Sequence, residues 1–439
     1  MVAAVSLLAV TRFVENPWLH RFAVLTALAT LGLVGLGGLV TSHGVGMAVP
    51  DWPTSYGYNM FALPVSTWLT GGVFHEHTHR LWASFVGVLV VALTRWLGGR
   101  AARLPLVIVG IGEIIAGQIL LRWGADWKGA GHFLGGIGGV VLLAGIVWVK
   151  NAPSPKPLPV LGWWAFGLVQ VQGLLGGLRV VLDAQMVADV RLGTAFGVLH
   201  GCLAQLFLAL LAVMAWMTSR WWLERVVPAP RFEAHGKHRA EFRAPLRQLF
   251  LVTTVLIFLQ LLIAATMRHQ HAGLAISDFP LAHGKLWPDL SAAAVAGYNA
   301  QRVEVTTAEP ITAFQIGLQM AHRILAVLIL AGVAACAWRV RDANESERAH
   351  SAIGVSLRRL ADCWLGLVLV QIALGAWTIW SNKAADVATA HVVVGSLSLV
   401  TGVLGCLIGY GRFARVIEAQ GAPFSEAACT QRPPMTVNP

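Results

Sequence analysis

Long apolar runs alternate with short polar stretches along this chain, at the period of membrane-crossing helices rather than of strands. An apolar run of about 20 residues spans a bilayer. Such runs fall at roughly 20–42, 75–97, 104–121, 131–149, 158–180, 192–216, 248–268, 313–338, 360–380 and 388–411. A closed β-barrel would show shorter, alternating segments instead. The pattern therefore predicts an all-α polytopic membrane protein with about ten transmembrane helices. The opening MVAAVSLLAV precedes Arg12 rather than following a basic stretch. It lacks the order of a secretory signal and reads as an apolar N-terminal extension, 1–19.

Composition agrees. Only 12% of residues are Asp, Glu, Lys or Arg and 56% are hydrophobic, where a soluble domain carries about 25% charge. The net charge of +11 raises the question of nucleic acid, and charge placement answers it. Arg12 and Arg21, Arg95, Arg100 and Arg103, Lys150 and Lys156, the 217–247 linker, Arg339 to Arg359, and Arg412 and Arg415 all fall on one family of loops. Residues 43–74 on the other side hold no Lys or Arg. By the positive-inside rule this reads as a multi-pass membrane protein with both termini cytoplasmic. No basic–aromatic module accompanies the charge, so no nucleic-acid partner is expected; membrane lipid is. The cysteines at 202, 336, 363, 406 and 429 form no C-x-x-C pair and read as buried apolar residues.

The linker divides the chain into two stretches that resemble each other. HGVGMAVPDWP, ending at Pro53, is answered by HAGLAISDFP, ending at Pro280. EHTHRL (Glu76 to Leu81) is answered by QMAHRI (Gln319 to Ile324), and QGLLGGLRV from Gln172 by QIALGAWTI from Gln371. Each is followed by a helix with one His, His200 and His391. Four motifs in one order, twice, point to an internal duplication: two pseudosymmetric four-helix bundles. The boundaries read 1–19 N-terminal extension, 20–216 first bundle with an inserted helical hairpin at 104–149, 217–247 basic cytoplasmic linker, 248–415 second bundle and 416–439 cytoplasmic tail. The hairpin faintly echoes the later motifs, with Gln118 for Gln172 and His132 for His200, and reads as a buttress.

Ionisable groups inside a bilayer are costly and mark function. His79, His200, His322 and His391 recur in duplicated positions, one per facing helix. Two imidazoles per bundle suit a six-coordinate haem iron, whereas zinc or copper wants three or four protein ligands at one point. Arg80 and Arg323 follow the first His of each pair and are candidates for haem propionate contacts. Gly176, Gly177 and Gly375 would permit close approach of a flat ring, and Gln172 and Gln371 read as interhelical hydrogen bonds. Glu76, three residues before His79, faces the same way on the helix; its counterpart is Gln319. A carboxylate in one half only suggests that one haem is worked upon and the other carries electrons, with Glu76 as proton acceptor or electrostatic stabiliser. The Asp-aromatic-Pro loops read as rigid lids. His43, His75, His77, His269, His271 and His283 read as loop or interfacial residues.

Together these motifs resemble the haem A synthase family of cytochrome oxidase assembly, over about 20–411 apart from the hairpin and linker. The resemblance implies haem O as substrate in the first half, held by His79 and His200 with Glu76 as the key acidic catalytic residue, and haem b as cofactor in the second, held by His322 and His391. It implies oxidation of the haem O C8 methyl to a formyl group, in successive steps through an alcohol, giving haem A for an aa3-type terminal oxidase, in the bacterial inner (plasma) membrane. Haem O synthase, oxidase assembly factors and a second copy of the chain are the implied partners. Many bacterial members carry a cysteine pair in the first outward loop; here those positions are Val49 and Ser55, so no disulfide is expected. The two hairpin helices are a second departure. The competing readings are a di-haem b-type electron-transfer cytochrome and a transporter built from repeats. The latter fits less well, because four spans per half give parallel rather than inverted repeats.

Overall fold

The computed structural model describes residues 16–124, 127–147, 157–187, 190–225, 244–302, 310–342 and 352–410. Most of the N-terminal extension, linker residues 226–243, and the end of the chain with Cys429, Arg412, Arg415 and the tail lie outside the described residues. So do Lys150, Lys156 and Arg348.

Nine stretches among the described residues are long and apolar enough to cross a membrane. One of them, Gly71–Trp123, has 53 residues; at about 1.5 Å per residue it is far too long for a single crossing. A 3-10 turn at Gly99–Ala102 breaks it in two, with Gly99 at φ 51°. Ten long helices result: α1 Pro17–Ser42, α2 Gly71–Gly98, α3 Arg103–Trp123, α4 Lys128–Ile146, α5 Pro157–Val181, α6 Leu192–Met217, α7 Ala244–His269, α8 Ala313–Asp342, α9 Ala352–Trp380 and α10 Ala385–Tyr410. The protein is an all-α polytopic membrane protein, as its apolar runs predict. Local chemistry sets the ends. Asn16 caps α1, its side chain accepting from Leu19 N at 3.1 Å, and Pro17 occupies the first turn, where no N–H is needed.

In the first half α1, α2, α5 and α6 pack around a shared core that includes Val86, Val90, Leu158 and Leu211. In the second, α7 to α10 pack around Phe250, Val333, Leu357 and Trp364, with the Phe250 and Trp364 rings stacked 5.6 Å apart. The halves are not separate bodies. α10 packs on both α1 and α6, and α6 packs on α7; Leu404 and Leu407 of α10 belong to the first core. His20 at the start of α1 bonds Ala215 O at the end of α6. Arg268 at the end of α7 bonds Gly38 O and the Ser42 hydroxyl at the end of α1.

The hairpin α3–α4 is held by glycines seven residues apart. A Cβ on Gly117 would lie 2.6 Å from Gly131 O, and one on Gly138 would lie 2.7 Å from Gly110 O. Only backbones without side chains approach this closely. The hairpin leans on the first half at several points: Gln170 Nε2 donates to Glu113 Oε1 at 2.5 Å, Arg95 donates to Ala144 O and Val147 O at 3.0 and 3.2 Å, and Phe133 packs on Trp52 with ring centroids 4.8 Å apart. His132 is exposed on α4 and joins no site.

Candidate functional site

The two Asp-aromatic-Pro loops fold alike. Asp51 accepts from the amides of Tyr56 and Gly57 at 2.7 and 2.9 Å; Asp278 accepts from those of His283 and Gly284 at 2.7 and 2.8 Å. Ser55 and Tyr58 bridge across the first turn, Ala282 and Lys285 across the second. Tyr56 and His283, both at positive φ, reach back to equivalent carbonyls: Tyr56 Oη donates to Ala48 O, and His283 Nε2 bonds Ala275 O. Both X–Pro bonds, Trp52–Pro53 and Phe279–Pro280, are cis. Burial raises the Asp51 carboxyl, but hydrogen bonds from Thr54, Gly57 and Tyr56 outweigh it and hold it below its ordinary value.

One side chain from the following helix staples each loop. Glu76 is 4% exposed; Oε2 accepts from Val49 N at 2.8 Å and Oε1 from Arg80 at 2.7 Å. Gln319, 3% exposed, does the same with an amide: Oε1 accepts from Ile276 N at 2.7 Å, while Nε2 donates to Gly273 O and Ile276 O. Arg80 gives its other donors to Asp51 O, Thr54 O and Val49 O at 2.7–3.1 Å. Arg323 donates to Leu281 O and Asp278 O and lies over the Phe279 ring. Both arginines thus hold the lids, and a propionate contact at those guanidinium nitrogens would compete with the lid bonds, although Arg323 keeps a buried Nε without a partner. Where the cysteine pair of the resembled family would stand, Val49 is fully buried, and the Ser55 hydroxyl bonds His77 Nδ1 at 3.2 Å. His77 is therefore a buried loop anchor.

Beneath the lids stand the four histidines. Each has a buried Nδ1 without a hydrogen-bond partner, and among the described residues no other histidine does. Orphaned buried nitrogens are expensive. Glycines crowd the rings: a Cβ on Gly37 would sit 3.1 Å from His79 Cε1, one on Gly176 3.4 Å from His200 Cε1, and one on Gly375 3.3 Å from His391 Cε1. Gln172 and Gln371 donate to the backbone carbonyls of His200 and His391 at 3.2 and 2.8 Å, which fixes α5 to α6 and α9 to α10. Gly177 is used differently, since its open side receives the Trp52 ring of the lid. The His322 and His391 rings lie with centroids 6.4 Å apart, tilted by 57°. A metal bonded to both at about 2 Å sets such centroids roughly 6 Å apart, so this pair fits an ion held between two imidazoles. Among the described residues no three His, Cys, Asp or Glu side chains converge as a protein-only metal site would need.

The residue pattern did not single out Arg179 or Arg268, and it gave His269 only a loop or interfacial role. Arg179 lies within electrostatic reach of His79, His200 and Glu76. His269, expected in a loop, is buried where the halves meet: a Cβ on Gly197 of α6 would strike its ring, and Arg179, Arg268 and His200 surround it. The available signal was the presence of cations at the cation-poor ends of α5 and α7.

The sequence pattern described as cytochrome oxidase assembly protein matches residues 129–403, well over half of the chain. The chain belongs to the haem A synthase family. A heme A synthase of Hyphomonas neptunium is 26% identical over 388 residues, covering 83% of this chain and 91% of that protein. A heme A synthase of Caulobacter vibrioides is 27% identical over 271 residues, 60% of this chain and 67% of that protein. The family match takes in His200, His322 and His391 and begins after the first lid and its staple, Glu76. Membership in the haem A synthase family makes the chain an oxidoreductase of haem metabolism, and the orphaned histidines supply donors that a haem requires.

Proposed function

We propose that this chain oxidises the C8 methyl of haem O to a formyl group, with the substrate between His79 and His200 and a haem b cofactor between His322 and His391. The observation that carries the reading is the set of four buried imidazoles, two per half, each with an Nδ1 that has no hydrogen-bond partner. The matching lids, staples and glutamine bonds support descent of the halves from one duplicated unit. The haem b iron, when bound, supplies one-electron chemistry; the chain's residues hold, orient and enclose. Gln172 and Gln371 fix the helices bearing His200 and His391, and the stapled lids exclude water from the lid end of each pocket. Glu76 and Gln319 staple equally well, so stapling does not require a charge. The extra property of Glu76 is its negative charge. Because both its oxygens already accept hydrogen bonds, it suits electrostatic stabilisation of positive charge building on the substrate better than proton abstraction.

The equal stapling of both halves also favours a second reading, a di-haem b-type electron carrier. One experiment separates them. The chain is co-expressed with a haem O synthase in a host lacking haem A, and the extracted haems are separated by mass. Haem A or its hydroxylated precursor is the expected product. Haem O and haem b alone would overturn the enzyme reading. The bacterial inner membrane, cytoplasmic termini, and association with haem O synthase, oxidase assembly factors or a second copy belong to the same proposal.

A further inference from the structure

We propose that Arg179 binds a carboxylate arm, a porphyrin propionate, of the group held between His79 and His200; this rests on the histidine-pair reading above. A cation at the lid end of a span runs against the charge asymmetry of the chain and, within a membrane, calls for a partner. Other arginines at this end have acceptors, Arg80 and Arg323 holding lid carbonyls and Arg268 holding Gly38 O and Ser42, while Arg122 and Arg191 are exposed. Among the described residues Arg179 has neither a hydrogen-bond acceptor nor a carboxylate at ion-pair distance, although Glu76 and Asp183 are near enough to feel its charge.

Its position follows from the helix. Gly176 of α5 faces the His200 ring, and Arg179, three residues on, lies one turn closer to the lid on the same face. A Cβ on Gly46 of the lid would fall on the Arg179 guanidinium, so the lid passes directly against it. The second half makes the same provision from another part of the sequence. Position 378 on α9, the counterpart of Arg179, is Thr378, yet the Lys383 side chain from the α9–α10 turn lies 3.9 Å from a Cβ built on Gly273, the counterpart of Gly46. Each half therefore sets a cation against its lid, and in the first half that cation also reaches the histidine pair. A guanidinium there meets a carboxylate arm by charge-assisted, bidentate bonds.

The test uses the purified full chain titrated with iron protoporphyrin IX and with its dimethyl ester, which has no free carboxylate. Soret absorbance reports binding, and the component that H200A removes marks the first-half site. R179Q should weaken that component for the free acid by roughly 10- to 100-fold and leave the ester unchanged, with R179K between. An unaltered His322–His391 spectrum controls for folding. If R179Q weakens acid and ester equally, or neither, the proposal falls while the histidine reading stands. If H200A removes no component for either probe, both fall.

Discussion

The staple and the charge of Glu76 are separable, because the molecule already contains an uncharged version of the staple. In Glu76→Ala the Val49 amide loses its acceptor and Arg80 its carboxylate, in a pair whose side chains are 9% and 5% exposed. Breaking such a buried pair from one side costs about 3–5 kcal/mol. In Glu76→Gln the acceptor for Val49 N remains and Arg80 keeps its three lid carbonyls. The Arg80 bond to Oε1 is lost, because the amide nitrogen placed there donates and cannot accept, at a cost of about 1.5–3 kcal/mol. Unfolding of the detergent-solubilised protein should rank wild type, E76Q and E76A in that order, while product formation should vanish in both variants. The informative comparison is E76Q, with its lid intact and its charge gone. If E76Q converts haem O as wild type does, the charge has no chemical role. If E76Q is as unstable as E76A, the equivalence with Gln319 is wrong.

Replacing His322 or His391 with Ala should abolish the bis-imidazole absorption of the second half while leaving the porphyrin binding removed by H200A; an unchanged spectrum would refute that pairing. Gly117→Val should force the α3 and α4 backbones apart, costing about 1–3 kcal/mol, and leave the His322–His391 absorption unaltered; loss of that absorption would show that the hairpin supports both halves. Because the Asp51 carboxyl lies below its ordinary value, its contribution is complete above the ordinary carboxylate range and is lost as pH falls through the lowered value. Hydrogen-exchange protection factors at Tyr56 and Gly57 should therefore hold from neutral pH to about pH 4 and drop only below it; a loss between pH 7 and 5 would contradict this.

The spans were legible because burial in lipid writes itself as unbroken apolar runs, and the four histidines because an ionisable group stands out against that background. The Gln172 and Gln371 bonds followed for the same reason. What repetition could not show is where a long side chain ends. Arg80 and Arg323 sit beside ligand candidates in sequence, yet their guanidinium groups reach back some 30 to 45 positions to lid carbonyls. Arg179 and His269 are 90 positions apart and come together only because α5, α6 and α7 meet where the halves join. Neither residue has a counterpart of its own kind in the other half, so comparing the repeats passes over both.

The last turn of α7 touches both pockets: His269 stands beside His200, and Arg268 within electrostatic reach of His391. This makes that turn a shared wall. If filling one pocket shifts it, the other pocket's affinity changes, and thermodynamic linkage fixes the two effects as equal. Occupancy of the second site would then set how tightly the first holds its contents at equilibrium, and the reverse, by the same factor.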